Sequence, residues 1–268
     1  MTTAFAHLGL PDPLVRTLAD RGVTEPFPVQ GATIPDVLAG RDVSGKAPTG
    51  SGKTLAFGLP LLARVGRASR HRPRALILAP TRELAEQIKK ELAPLAKAAG
   101  RRVHAVYGGV GYGPQKGALR KGLDVLVATP GRLEDLMEQG SADLSRVDIV
   151  VVDEADRMAD MGFLPAVRRI LDRTSPNRQT LLFSATLDGD VAVLSRDYQR
   201  DPVRHEAGTV EPETSDARHH FWLVQHHDRA QHTADLVEAA GRSIVFTRTR
   251  HGADRLAKQL TKLCLLYT

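Results

Sequence analysis

Residues 149–156 read Ile-Val-Val-Val-Asp-Glu-Ala-Asp, and this octapeptide constrains the fold more than any other stretch of the chain. Four consecutive β-branched apolar residues form the pattern of a buried strand. The run stops at two adjacent carboxylates, Asp153 and Glu154. A buried carboxylate costs several kcal/mol unless a cation or hydrogen bonds compensate it. The strand therefore delivers its charge to a polar site at a sheet edge, with a metal ion as the obvious partner. A competing reading is a strand that runs into an acidic helix N-terminus, where carboxylates are favourable in any case.

The rest of the chain narrows the choice. Its 268 residues suit one large domain or two small ones. Apolar and charged contents of 42% and 25% are those of a soluble globular protein. A net charge of +6 suits a polyanionic partner, although mild basicity is a weak signal. The single cysteine, Cys264, excludes a disulfide framework and a cysteine-rich metal site. Residues 1–10 lack the basic and apolar pattern of a signal peptide, and no stretch approaches the ~20 apolar residues of a membrane span. The expectation is a cytoplasmic protein with no membrane partner.

Apolar β-rich runs alternate with helical patterns. Strand signals at 42–44, 75–79, 103–107, 123–128, 147–152 and 180–183 are interleaved with helical ones at 83–99, 133–139 and 188–198, and a glycine-rich turn follows residue 107. That alternation predicts a mainly parallel sheet with helices on both faces. Residues 206–218 are poor in large apolar side chains and read as a linker. Strand signals return at 221–224 and 243–246, with a helical pattern at 253–260. A second α/β domain is therefore expected from residue 219, too short to bury a good core unaided.

Ala47-Pro48-Thr49-Gly50-Ser51-Gly52-Lys53-Thr54 follows a strand signal and opens a helix. Glycines in such a loop let backbone N–H groups cradle phosphate oxygens, helped by the helix N-terminus. Lys53 reaches the β and γ phosphates, and Thr54 offers its hydroxyl to Mg²⁺. The strict pattern has glycine where Ala47 stands. In phosphate-loop enzymes an aspartate ending a second apolar strand holds the Mg²⁺, which gives Asp153 its partner. Glu154 is then placed to orient and deprotonate the attacking water. Three more strands end in distinctive turns: Pro80-Thr81-Arg82-Glu83, Thr129-Pro130-Gly131-Arg132 and Ser184-Ala185-Thr186. In a parallel sheet these turns share the edge where ligands bind. Thr129 before Pro130 also fits a helix N-cap, and both capping and phosphate contact are expected of it.

In combination these motifs resemble the DEAD-box RNA helicases, over about residues 4–260, with Asp153-Glu154-Ala155-Asp156 as the name-giving motif. The resemblance implies a RecA-like α/β domain at 34–205, preceded by an adenine-recognition segment at 1–33 and followed, after the linker, by the start of a second RecA-like domain at 219–268. It implies ATP and Mg²⁺ as cofactors. Catalytic roles fall to Lys53, Asp153 and Glu154, and metal binding to Thr54 and Asp153. The nucleotide would be held by Phe5, Gln30, Ala47, Thr49, Gly50, Ser51, Gly52, Lys53 and Thr54, with Gln30 on the adenine edge and Phe5 stacked on the ring. Arg82, Gly108, Gly109, Thr129 and Arg132 would contact the RNA backbone. Asp156, Ser184 and Thr186 would couple the two sites. The implied activity is ATP hydrolysis coupled to local unwinding of RNA or remodelling of ribonucleoprotein, by a monomer. Protein partners, whether ribonucleoprotein, degradosome or ribosome-assembly components, are not specified.

Several features carry no chemistry in this reading. His219, His220, His226, His227 and His232 lack accompanying carboxylates or thiolates and read as solvated. Arg64, Arg67, Arg70, Arg72 and Arg74 read as a charged surface loop. Ser-Ile-Val-Phe-Thr-Arg-Thr at 243–249 resembles the family's first second-domain motif, but the later arginine-rich helix has no counterpart. Arginines of that kind supply roughly 10³–10⁵ in rate. The chain therefore also reads as a truncated or frameshifted product that binds nucleotide and RNA without effective hydrolysis. A DNA-directed helicase is disfavoured by the Phe5–Gln30 element.

Overall fold

The computed structural model describes residues 4–48, 50–206, 218 and 220–263; Thr49, His219, Cys264 and residues 207–217 of the expected linker lie outside the described residues. The chain divides into two compact units, Met1–Pro212 and Glu213–Thr268.

The first unit is built on β1 (Val43–Lys46), β2 (Ala75–Leu78), β3 (Val103–Val106), β4 (Val125–Ala128), β5 (Ile149–Asp153), β6 (Gln179–Ser184) and β7 (Val203–Glu206). They form one sheet in the order β3-β4-β2-β5-β6-β1-β7, and every pairing is parallel. Crossover helices account for that topology: α3 (Lys53–Arg64), α4 (Arg82–Ala98), α5 (Tyr112–Lys121), α6 (Pro130–Glu138), α7 (Ala155–Asp160), α8 (Leu164–Leu171) and α9 (Gly189–Tyr198). Two further helices, αA (Asp12–Asp20) and αB (Pro28–Leu38), precede β1, after a 3₁₀ turn at Ala4–Leu8.

Because both faces are covered, the strands are apolar at successive positions rather than at alternate ones. Ile149, Val151, Ile77, Val127 and Phe183 face one core with αB, α3 and α4. Val150, Val152, Leu76, Leu126 and Leu182 face a second core with α6, α8 and α9. Gly45 on β1 leaves room for Phe183, whose ring would come within 2.6 Å of an added Cβ. Phe183 in turn packs tilted against Phe57 of α3, ring centroids 5.4 Å apart. In this way β1, β6 and the helix after the loop are fixed to one another.

The structure departs from the sequence reading in three places. The glycine-rich stretch after β3 is a turn only as far as Gly111; α5 then forms despite Gly113, Pro114 and Gly117, anchored by buried Gln115 and Leu119. β7 carries Val-Arg-His-Glu with alternating exposure, the charged composition of an edge strand. The second unit has two described helices, α10 (Arg229–Ala240) and α11 (Arg250–Lys262), but the strands expected at 221–224 and 243–246 do not form. Phe221 and Phe246 stand 93% and 89% exposed. An apolar run becomes a strand only when another strand takes up its N–H and C=O groups, and the described residues of this unit supply none.

Candidate functional site

Since every strand is parallel, all C-terminal strand ends share one edge, and the residues singled out in the sequence collect there. β1 runs out at Lys46 and turns through Ala47 and Pro48 to Gly50, Ser51 and Gly52. Both glycines have φ of +85°, in the left-handed region that glycine tolerates. A Cβ on Gly52 would also overlap the Gln30 amide and the Phe27 ring. Lys53 is buried and donates its Nζ to the Ala47 carbonyl at 2.9 Å, and the Ser51 hydroxyl donates to the Pro48 carbonyl at 2.7 Å. The loop's cation thus rests on its own backbone, where an incoming anion can draw it away.

The facing wall is the end of β5. Asp153 is buried, and burial pushes its carboxyl up to about 7; the Lys53 ammonium pulls it down, and the Glu154 and Asp156 carboxylates raise it further. Its Oδ1 accepts the Glu154 N–H at 3.0 Å. Glu154 has φ 50° and ψ 51°, a left-handed conformation that costs a non-glycine residue about 1 kcal/mol or more and that clusters at functional sites. Its carboxylate pairs with Arg157 at 3.2 Å. A buried carboxylate lacking full compensation is the donor chemistry of a hard divalent cation; the Thr54 hydroxyl, at the start of the facing helix, is bonded to the Glu91 carboxylate and would have to turn from it to join such a site. Among the described residues no group of three or more His, Cys, Asp or Glu could hold a metal. Mg²⁺ held by one carboxylate, one hydroxyl and phosphate oxygens needs no such group.

Ser184, at the end of β6, joins the two walls. Its carbonyl accepts the Ala47 N–H at 3.0 Å and its hydroxyl accepts the Asp156 N–H at 3.2 Å. Asp156 Oδ2 accepts the Ala185 N–H at 3.1 Å. Of the three coupling residues, Asp156 and Ser184 are therefore in contact, while Thr186 is exposed beyond them.

Gln30 lies in the first turn of αB and uses its amide twice. Oε1 accepts the Phe27 N–H at 2.9 Å, half of a capping box, and Nε2 donates to the Gly52 carbonyl at 3.0 Å. Phe5 is placed otherwise than expected: it is fully buried in the core with Leu14, Leu18 and Ile34 and offers no ring face to a base. The exposed aromatic beside the loop is Phe27, 55% accessible and missed in the sequence because it lies between two prolines in a segment read only for Gln30.

The remaining candidates sit on the β3-β4-β2 side. Arg82, at the start of α4, is exposed and bonds Glu83 at 2.6 Å; an added Cβ on Gly109 would lie 3.4 Å from its Nη1. Gly108 stands open beside it. Thr129 occupies the N-cap of α6 with Pro130 at N1, but its hydroxyl makes no cap hydrogen bond, contrary to expectation, and stays free. Arg132 is tucked inward. It donates to the Val110 carbonyl at 3.0 Å and stacks over the Tyr112 ring at 4.0 Å, so it supports the glycine turn from beneath.

Four of the five arginines between 64 and 74 have protein partners: Arg64 donates to the Val37 and Leu38 carbonyls at the end of αB, Arg67 pairs with Asp124, Arg72 with Asp143 and Arg74 with Asp148.

The fold is that of a RecA-like α/β domain, with a parallel sheet covered by helices on both faces. Residues 27–194, more than half of the chain, match the DEAD/DEAH box helicase family. The chain is 42% identical to the DEAD-box ATP-dependent RNA helicase 3A, chloroplastic, of Zea mays, across 96% of this chain and 36% of that protein. It is 39% identical to the DEAD-box ATP-dependent RNA helicase 30 of Arabidopsis thaliana, across 96% and 45%. The crystal structure of a DEAD box protein from the hyperthermophile Methanococcus jannaschii is similar with a TM-score of 0.72 and 30% identity, covering 97% of this chain and 70% of that one. The chain belongs to the DEAD/DEAH box helicase family. It spans between about a third and about a half of the length of the curated relatives it matches.

Proposed function

We propose that the protein is an ATP-dependent RNA helicase, in which ATP is hydrolysed on the β5-β6-β1 side of the edge and RNA is held on the β3-β4-β2 side. The observation that carries this reading is Ser184, which holds the phosphate loop through Ala47 and the acidic motif through Asp156. A change at either wall is thereby felt at the Ala185–Thr186 turn.

In this reading the N–H groups of the loop and the N-terminus of α3 cradle the phosphates. Lys53 leaves the Ala47 carbonyl for the phosphate oxygens. Glu154 orients the attacking water and takes its proton, and its fixed left-handed backbone aims the carboxylate. Mg²⁺, held by Thr54 and Asp153, would supply neutralisation of phosphate charge. Gln30 retains one N–H and one lone pair for the adenine edge. Arg82, the open Gly108-Gly109 backbone and the free Thr129 hydroxyl suit phosphates and sugars, so recognition is of the RNA backbone, with little sequence preference.

The test is steady-state ATP hydrolysis by the 268-residue chain with and without single-stranded RNA. RNA-stimulated turnover is expected, lost in Lys53→Ala together with nucleotide binding. Glu154→Gln should lower turnover by roughly 10²–10⁴-fold while keeping ATP affinity, as expected for removal of a general base. Turnover that ignores RNA, or that survives Glu154→Gln, contradicts the reading.

A further inference from the structure

The turn that carries Gly108 and Gly109 is held at both ends by one side chain. Gln115, in the first turns of α5, is only 4% exposed. Its Oε1 accepts the Tyr107 N–H at 3.1 Å. Its Nε2 donates to the Tyr107 carbonyl at 3.2 Å and to the Gly111 carbonyl at 3.3 Å. β3 ends at Val106, so the carboxamide takes up the N–H and C=O of the next residue as a neighbouring strand would, and then grips the residue where the turn closes. Arg132 holds the carbonyl between, that of Val110, at 3.0 Å. From the other side the Tyr107 hydroxyl donates to Glu86 at 3.1 Å, on the same helix as Arg82.

A leucine would fill this position without the desolvation that a buried amide carries. A satisfied amide instead specifies one geometry. Left to itself, a turn with two adjacent glycines would sample many conformers, and each would have to be frozen out when a ligand binds. We infer that Gln115 is a positioning residue that presets the Gly108-Gly109 backbone, in register with Arg82, for its polyanionic ligand. This inference rests on the RNA reading of that turn, but the preset geometry can be measured without RNA.

Two measurements on the 268-residue chain test it. Hydrogen–deuterium exchange without ligand should show faster exchange of the 107–111 amides in Gln115→Leu than in the parent, with the 43–54 segment unchanged. In the ATPase assay, the RNA concentration for half-maximal stimulation should rise about tenfold, as expected for roughly one lost hydrogen bond's worth of preorganisation. Turnover at saturating RNA and the Kd for ATP should not move. Gln115→Glu, which keeps the acceptor for Tyr107 N–H but sets a buried carboxylate against the Tyr107 and Gly111 carbonyls, should lose at least as much as Gln115→Leu. Unchanged exchange at 107–111 overturns the inference, as does an equal loss of ATP and RNA affinity, which would mark a general packing defect. A parent chain without RNA stimulation defeats the functional reading alone, and exchange still decides the preset turn.

Discussion

At the residue scale, two phenylalanines of the N-terminal segment separate packing from recognition. Phe5 is sealed in the core, whereas Phe27 exposes its ring beside Gly52. Truncating a core phenylalanine costs about 3–5 kcal/mol. Stacking of a base on an aromatic ring contributes about 1–3 kcal/mol. Phe5→Ala is therefore expected to lower the melting temperature and leave the Kd for ATP, measured well below that temperature, as it was. Phe27→Ala should leave the melting temperature nearly unchanged and raise the Kd for ATP about tenfold. Calorimetric titration with ATP beside thermal denaturation checks the pair, and the opposite pattern returns Phe5 to the nucleotide. The sequence could not make this distinction, because an aromatic in a short terminal segment has no periodicity to say which way it points.

At the element scale, what was legible follows from how many faces of an element are buried. β2, β4, β5 and β6 are covered on both sides, and their unbroken apolar runs were read to within a few residues. Asp153 and Lys53 were read because strand, turn and chemistry agree at each. β7, α5 and αB were not read. β7 is an edge strand with charged side chains, α5 holds two glycines and a proline, and αB contains Pro35 and Gly31. Tertiary contacts carry these elements where local propensity does not. Gln115 and Phe27, which the sequence did not single out, lie in or beside these elements. β3, at the other edge, offers a pH test. His104 is half-buried there, and burial first, then the Lys89 ammonium, lower its pKa below the ordinary 6.5, with Glu86 opposing. The fold thus favours neutral imidazole. That contribution is intact above 6.5 and is lost as pH falls through the lowered value. Between about pH 7.5 and about pH 5 His104 alone lowers the urea midpoint, while proton uptake by the raised Asp153 carboxyl acts with the opposite sign, so the midpoint of His104→Gln should fall less, or rise more, than that of the parent. An identical slope in the variant would remove His104 from the account.

At the scale of the whole molecule, the two units differ in how much they bury. The first has a core on each face of a seven-stranded sheet, whereas Ala234 and Leu260 are the buried apolar residues described in the second. The single tryptophan, Trp222, belongs to the second unit and is 60% exposed, stacked on His220. Its native emission should be that of a solvated indole and change little with denaturant, while far-UV circular dichroism reports cooperative loss of the first unit. A large emission change coincident with the dichroism transition would refute this assignment. The order of strands has a further consequence, for how the chain is made. β1 is synthesised first but sits between β6 and β7. Asp42 waits for the N–H of Thr180, 138 positions on, and the Val43 carbonyl for Gln199, 156 positions on. Contacts so distant in sequence make folding slow. At ribosomal rates of roughly 5–20 residues per second, the phosphate loop emerges on the order of ten seconds before the strands that seat it. Nucleotide therefore cannot template this fold during synthesis; it meets the loop only once the sheet has closed around β1.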